Sequence, residues 1–308
     1  MPLTDPRAGK PDLFTAGCEC HSPAMSAPLR LRTALGSYPH LRELHDSERV
    51  AFDFVKVTPI TRAFRRMASD LEFDLCEMAA VTLAMAHAYD KPIAGLSAVV
   101  TRGFHHSALT CLRESNLRGP EDLPGKRVGV RAYSQTTGVW VRGILQSEYG
   151  IDPASMTWVT EEDAHVAEYR DPPFVVRAPA GRDLLGMLRA GEIDAVVTLQ
   201  KADPAEVRTV IPDAEAAAAD WFRRTGVHPV NHVITVRREK LAAHPWLADE
   251  LMQLFATAKA AARSPATSDE PLPYGLEANR AAIELLMQFA AEQGLIPRAY
   301  AADELFVA

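Results

Sequence analysis

The stretch GKRVGVRAYSQTTGVWVRGIL, residues 125–145, predicts a short buried strand, a polar turn and a helix. The strand covers Arg127 to Val130, and the helix is expected to open near Ser134. Ser134 is predicted to be the N-cap, because its hydroxyl can accept a hydrogen bond from a first-turn amide. The remaining free amides and the positive end of the helix dipole then favour an anion at the turn.

The side chains of this turn also suit an anion. Arg131 carries a planar guanidinium that matches a carboxylate. Tyr133, Ser134, Thr136 and Thr137 add hydroxyl groups beside it. The segment therefore predicts a cradle for a small anion. An ordinary strand–helix joint with a polar loop is the alternative interpretation of the same residues.

Length and composition exclude several classes of protein. A chain of 308 residues predicts two domains, and 47% hydrophobic with 24% charged residues is typical of a soluble protein. The net charge of -7, with no basic face, argues against a nucleic-acid partner. No apolar run approaches the ~20 residues of a membrane span, so no membrane partner is expected. The composition is compatible with a homo-oligomer as well as with a monomer.

Residues 1–28 are predicted to be a disordered leader, with Met25 as an alternative start. The leader lacks the apolar core of a secretory signal, which predicts a cytoplasmic location. Its Cys18-Glu-Cys20-His21 string resembles a metal grip but has no second ligand pair nearby. Free thiols are expected at all four cysteines, which include Cys76 and Cys111.

Short apolar runs alternate with helical segments, which indicates an α/β protein. Residues 29–118 and 228–308 are predicted to form lobe 1, and residues 119–227 to form lobe 2. Two crossings, near 113–119 and 225–229, would join the lobes, with a ligand between them at strand ends. The predicted strands are Leu29–Leu35, Val50–Val57, Phe73–Met78, Leu96–Val100, Ala108–Leu112, Arg127–Val130, Met156–Val159, Val175–Arg177, Ile193–Leu199 and His232–Val236. Besides the helix near Ser134, the predicted helices are Thr61–Ser69, Ala79–Ala88, Asp183–Ala190, Pro245–Ala262 and Leu276–Gln293.

Several strings together resemble the 4,5-dihydroxyphthalate decarboxylase family, from about residue 29 to the C-terminus. Each string is weak alone, and the set is specific. The strings are Gly36-Ser-Tyr38, Asp74-Leu-Cys-Glu77-Met, Phe104-His-His106-Ser107, residues 125–145, Leu188-Arg-Ala-Gly-Glu-Ile-Asp194-Ala, Arg224-Thr-Gly226, Pro229-Val-Asn-His232, His244-Pro-Trp246-Leu and Pro273-Tyr-Gly-Leu-Glu-Ala-Asn279-Arg280.

The resemblance implies a type II periplasmic-binding-protein-like fold: two lobes, each a mixed sheet flanked by helices, joined by two hinge crossings. It also implies a cleft for a small aromatic carboxylate and the decarboxylation of an aromatic diacid. A solute-binding protein of the ABC-transporter type, which captures a small carboxylate without catalysis, is the alternative. A third possibility is an enzyme on the same fold with another substrate, such as a pyrimidine or a menaquinone precursor.

Three residues are the candidates for chemistry. His106 follows a predicted strand and is expected to donate a proton to the substrate, since imidazole titrates near neutral pH. Glu77, at a strand end, could be a base, a metal ligand or the partner of a histidine; a charge complementing the next helix is the alternative. His232 lies in an apolar strand, where a hydrogen-bonded core histidine is the alternative to a site residue.

The remaining site residues are expected to bind the substrate or a metal. Tyr38, Arg102 and His105 are predicted to complete a carboxylate pocket with Arg131 and the turn at Thr136. No cofactor is required by the sequence, and a divalent metal remains possible, with Glu77, His106 and His232 as candidate ligands. Asp163, His165 and Glu168 have metal-like spacing if helical, against the alternative of a solvated helix face.

Overall fold

The computed structural model describes residues 27–198, 203–262 and 272–307. The predicted leader up to residue 26, with Met25, Cys18, Cys20 and His21, lies outside the described residues. The end of the predicted strand at Leu199 also lies outside them.

The strands and helices follow the predicted alternation. In chain order the strands are β1 Leu29–Ala34, β2 Val50–Phe54, β3 Leu75–Ala79, β4 Ile93–Arg102, β5 Leu109–Leu112, β6 Arg127–Val130, β7 Thr157–Thr160, β8 Val175–Arg177, β9 Ala195–Val197, β10 Val207–Thr209, β11 Val230–Arg237 and β12 Phe306–Val307. The helices are α1 Thr61–Asp70, α2 Ala80–Ala88, α3 Thr136–Tyr149, α4 Leu184–Arg189, α5 Ala214–Thr225, α6 Arg238–Ala243, α7 Leu247–Ala262, α8 Leu276–Glu292 and α9 Ala302–Leu305.

Within the described residues these strands form two six-stranded mixed sheets. The order in lobe 1 is β12-β4-β11-β3-β1-β2, and the order in lobe 2 is β10-β5-β9-β6-β7-β8. In lobe 1, β11 runs antiparallel between β3 and β4, while β1 runs parallel to β2 and β3. Helices flank both sheets, which confirms the predicted α/β class.

The chain passes between the lobes on two adjacent segments. The amide of Gly103 donates to the carbonyl of Pro229 (3.0 Å), so the two crossings lie side by side. Strand β5, which the sequence analysis assigned to lobe 1, pairs with β9 and β10 in the sheet of lobe 2. The first crossing therefore precedes residue 109, and the other lobe bounds stay a prediction.

Helix α3 begins one residue later than the predicted N-cap implies. The expected N-cap Ser134 is wrong: the N-cap is Gln135, and no side chain caps the helix. The Val139 amide bonds to the Gln135 carbonyl. The amides of residues 136–138 precede that bond and have no partner within the helix.

The two lobes are also packed together through α3 and α8. Gln293 of lobe 1 accepts from Arg142 Nε of lobe 2 (2.6 Å), and its own amide donates to the Val139 carbonyl (2.9 Å). Gly143 allows this approach, because a Cβ there would come 2.1 Å from the Phe289 ring. In the three described ranges no helix is long and apolar enough to cross a membrane.

Candidate active site

Glu77 is a fully buried acidic residue in the centre of β3. Its Oε1 accepts from the Tyr38 hydroxyl (2.7 Å) and lies 2.7 Å from His232 Nδ1, and its Oε2 accepts from the Gly36 amide (2.8 Å). A buried carboxylate is costly unless hydrogen bonds replace its water. Three such bonds at Glu77 meet this requirement.

The strand register explains how these residues meet. Glu77 of β3 stands opposite Ile234 of β11, and His232 is two residues further on the same face. On the other side β1 runs parallel to β3, so the turn after Ala34 arrives beside Glu77. Gly36 in that turn leaves room for both neighbours: a Cβ there would lie 2.5 Å from the Tyr38 ring and 2.9 Å from Glu77 Oε2.

Tyr38 and His232 have different roles beside this carboxylate. Burial, followed by the negative charge of Glu77, raises the pKa of Tyr38 well above its usual range, so its hydroxyl remains a donor. The His232 side chain is 20% exposed, and its ring meets the Phe64 ring edge-on at 5.1 Å. His232 therefore links the buried carboxylate of Glu77 to the partly exposed side of the site through one hydrogen bond.

His165 of lobe 2 lies next to this group, although the sequence analysis placed it only in a metal-like spacing. Its Nδ1 is 2.9 Å from the Thr82 hydroxyl of lobe 1, and its ring meets the same Phe64 ring edge-on at 5.7 Å. Burial, and then the positive charges of Arg131 and Arg65, lower the pKa of His165 to about 3. His165 is thus a neutral imidazole at neutral pH.

Arg131 and Thr136 bring the predicted anion cradle to the same place. Arg131, at the end of β6, forms an ion pair with Glu162 (2.8 Å) and acts electrostatically on His165. The Thr136 hydroxyl, on the first residue of α3, accepts from the Val81 amide of α2 (3.3 Å). The N-terminal ends of α2 and α3 therefore meet in a buried contact between the two lobes. We call Glu77, His232, Tyr38, His165 and Arg131 the interlobe site.

Further contacts hold the loop of His165 against lobe 1. Arg65 donates to the Asp163 carbonyl (3.1 Å), and Lys91 pairs with Glu168 (2.5 Å). This loop is not helical, so the metal-like spacing of Asp163, His165 and Glu168 is wrong. Their side chains have different partners: Asp163 pairs with Arg177, His165 with Thr82, and Glu168 with Lys91.

His106 and His105 lie at the first crossing and not in the interlobe site. His106 is 1% exposed, and its ring meets Trp221 of α5 at 5.7 Å. The charges that act on it are those of Glu148 and Arg224. Glu148 is about 18 Å along α3 from Thr136. The expected proton donation by His106 is therefore not supported, because the imidazole is buried far from the cleft.

His105 stacks on Trp140 at 6.3 Å, and burial lowers its pKa to about 3. Tyr133 is also buried, with its ring against Arg142 at 3.9 Å inside lobe 2. Arg102 ends β4 opposite Val230. Burial first, and then the positive charge of Arg102, lower the pKa of His228, again at the crossings. These three are structural neighbours of the site and do not line it, contrary to their predicted binding role.

Ser134 and Thr137 are buried close to Thr136 at the start of α3, and their binding role stays a prediction. The expected metal set of Glu77, His106 and His232 is not brought together, because His106 is elsewhere. Among the residues that the structure describes, no three His, Cys, Asp or Glu side chains could hold a metal ion.

Comparison with known proteins gives the family and the fold of the chain. No family model matches the chain. It is 30% identical over 259 residues to a 4,5-dihydroxyphthalate decarboxylase of Comamonas testosteroni, covering 76% of each chain. It is 30% identical over 221 residues to one of Pseudomonas putida, covering 65% of this chain and 84% of that protein.

Solved structures show the fold. The alkanesulfonate-binding protein SsuA of Xanthomonas axonopodis pv. citri, bound to MOPS, superposes with a TM-score of 0.54 at 16% identity over 92% of this chain and 99% of that one. The aliphatic sulphonate binding protein SsuA of Escherichia coli gives 0.56 at 12% identity over 92% of each chain. The periplasmic-binding-protein-like fold is thereby confirmed.

Proposed function

Because the chain belongs to the 4,5-dihydroxyphthalate decarboxylase family and is therefore a carboxy-lyase, we propose that it decarboxylates a hydroxylated aromatic dicarboxylate in the interlobe site. The substrate is 4,5-dihydroxyphthalate or a close relative. Its ring lies between the lobes, with one carboxylate at His232 and the other at the cradle around Arg131.

The hydrogen bond between Glu77 and His232 is the observation that carries this proposal. A carboxylate that accepts from Nδ1–H stabilises the protonated imidazole and fixes its orientation. The other ring nitrogen, Nε2, can then give a proton to a substrate atom.

The reaction replaces a carboxylate by a proton. A ring hydroxyl para to the leaving carboxylate gives its proton to solvent, and the resulting phenolate pushes electron density to the carbon that bears the carboxylate. His232 Nε2 delivers a proton to that carbon, forming the new C–H bond. The bond to the carboxylate then breaks, carbon dioxide leaves, and the electron pair returns to the ring. The hydroxyl regains its proton, and His232 is reprotonated from solvent.

The second carboxylate is retained and holds the ring in place. Arg131 offers a charged fork, and the uncapped first turn of α3 offers amides and a positive dipole end. Both features come from lobe 2, whereas the proton donor comes from lobe 1. Closure of the two lobes on one substrate therefore sets the distance between anchor and acid.

Incubation with 4,5-dihydroxyphthalate tests the proposal. Purified protein, with and without a chelator, should release carbon dioxide and 3,4-dihydroxybenzoate in equal amounts. Phthalate is the matched control: it has both carboxylates but no hydroxyl, so it should bind and remain unchanged. Folded protein that turns over none of a series of hydroxylated diacids would contradict the proposal.

The same experiment separates the alternative function. A solute-binding protein for a small carboxylate would bind 4,5-dihydroxyphthalate in calorimetry and return it chemically unchanged. The cytoplasmic location and the oligomeric state expected from the sequence remain predictions, to be tested by cell fractionation and by light scattering.

A further inference from the structure

Thr82 and His165 form a hydrogen bond between the lobes that has no part in the reaction described so far. Thr82 lies in the first turn of α2 and is buried, and His165 belongs to a loop of lobe 2. Their contact is 2.9 Å from hydroxyl oxygen to Nδ1. Because Phe64 touches the rings of both His165 and His232, this pair is adjacent to the proton donor.

The direction of this hydrogen bond follows from which hydrogen atoms find an acceptor in each of the two possible arrangements. Among the described residues, the Thr82 hydroxyl has no hydrogen bond other than the one to His165. If Nδ1 carried the hydrogen, the hydroxyl hydrogen would be buried without an acceptor, which is costly. If the hydroxyl donates to Nδ1, only lone pairs remain unfilled, and this costs less. The imidazole hydrogen then lies on Nε2.

The surroundings of His165 define what such a donor can bind. Arg131 of lobe 2, Arg65 of α1 and His232 of β11 are the charged or titratable groups that act on it, and each favours its neutral form. A neutral imidazole with hydrogen on Nε2 donates one hydrogen bond and accepts none there. Because the positive charge of Arg131 acts on His165, the donor and the guanidinium suit two oxygens of the same carboxylate.

We propose that His165 is a specificity-determining residue whose Nε2–H donates to the retained carboxylate of the substrate, and that Thr82 is the positioning residue that holds it in this tautomer. The proposal rests on the proposed function for the identity of the substrate. It adds a contact between His165 and the retained carboxylate. It also adds that Thr82 of lobe 1 fixes the tautomer of His165, which belongs to lobe 2.

The first test measures the tautomer without any reaction. Long-range proton–nitrogen NMR spectra of the ¹⁵N-histidine-labelled full chain at pH 7 distinguish the two neutral tautomers, and the signal missing from His165→Gln assigns His165. The expected result is a neutral ring with hydrogen on Nε2 in the wild type. A ring with hydrogen on Nδ1, or a charged ring, overturns the proposal.

The second test uses phthalate as a binding probe with two variants of Thr82. Thr82→Val removes the hydroxyl at similar size, and its phthalate Kd should rise about 10-fold, the effect of one hydrogen bond to a charged group. Thr82→Ser restores the hydroxyl and should bind like the wild type. Equal affinity of folded Thr82→Val and wild type overturns the proposal, as does a loss that Thr82→Ser does not rescue.

Kinetics with 4,5-dihydroxyphthalate keep this inference separate from the proposed function. Thr82→Val should raise KM about 10-fold and change kcat much less, since the retained carboxylate is bound equally in the ground and transition states. A fall in kcat at unchanged KM overturns the assignment. A wild-type protein without turnover contradicts the proposed function alone, because the NMR and phthalate measurements still decide the role of Thr82.

Discussion

His232 Nδ1 lies 2.7 Å from Glu77 Oε1, although 155 residues separate the two in the chain. They meet because β3 and β11 are antiparallel neighbours, and their side chains take diagonal positions on one face. One member of the pair is fully buried and the other reaches the cleft. The pair therefore joins the interior of lobe 1 to the partly exposed side chain of His232.

Glu77→Gln should lower kcat by ~100-fold or more while the protein stays folded. The amide has nearly the size of the carboxylate but cannot stabilise a positive charge on His232. Turnover of 4,5-dihydroxyphthalate is the measurement, with thermal unfolding as the check on folding. A kcat within threefold of the wild type would show that His232 works without its buried partner.

Arg131→Ala should weaken substrate binding by ~1.5 to 3 kcal/mol, or roughly 10- to 150-fold in KM. The loss follows from removal of a charge-assisted contact to the retained carboxylate. Arg127→Ala is the matched control, because Arg127 is at the exposed opposite end of the same strand, β6. If both variants bind the substrate equally well, the cradle is not the anchor.

Gly36→Ala should destabilise the protein by ~1 to 3 kcal/mol and reduce activity. The new methyl group would collide with the Tyr38 ring and the Glu77 carboxylate, at 2.5 and 2.9 Å. Gly103→Ala is the control, since a Cβ at Gly103 meets nothing within 4 Å. Urea unfolding and kcat are measured for both, and equal behaviour would count against tight packing around Glu77.

Acid should destabilise the protein below about pH 6.5, where an unfolded histidine takes up a proton. The folded pKa of His105 and of His165 is lowered to about 3, by burial first. Between about pH 3 and pH 6.5 the unfolded state binds more protons than the folded state. The free energy of unfolding therefore increases with pH in this range and reaches its full value above about pH 6.5. Each histidine adds a slope of up to ~1.4 kcal/mol per pH unit.

His105→Phe should therefore flatten this dependence between pH 6.5 and 5. The window lies above the usual range of carboxyl groups, so it isolates the histidines. Urea unfolding at three pH values gives the slope for both proteins. An unchanged slope in the variant would mean that His105 is protonated in the folded state.

The sequence predicts the alternating elements and four members of the interlobe site, because local patterns carry that information; the four are Glu77, His232, Tyr38 and Arg131. Glu77 lies near the end of the predicted strand Phe73–Met78, whereas the structure places it in the centre of β3. Tyr38 is predicted to complete a carboxylate pocket, and the structure places its hydroxyl on Glu77. His232 was harder, because a histidine inside an apolar strand has the same pattern whether it faces a core or a cleft. Only the pairing of β11 with β3 decides between these.

Other parts could not be predicted from local patterns. His106 looked favourable at a strand end, but β4 ends at the crossing between the lobes, and the chain turns His106 under Trp221. His165 had no periodic signal, since its loop is irregular and is positioned by contacts with lobe 1 such as Thr82.

Turnover of 4,5-dihydroxyphthalate by His232→Gln and His106→Gln, measured side by side, tests the central claim most directly. Both variants keep much of the shape of histidine and neither can deliver a proton near neutral pH. If His232 is the proton donor, His232→Gln should lose ~100-fold or more in kcat, while folded His106→Gln stays within a few-fold of the wild type. The reverse order, with His106→Gln inactive and His232→Gln active, would contradict the account.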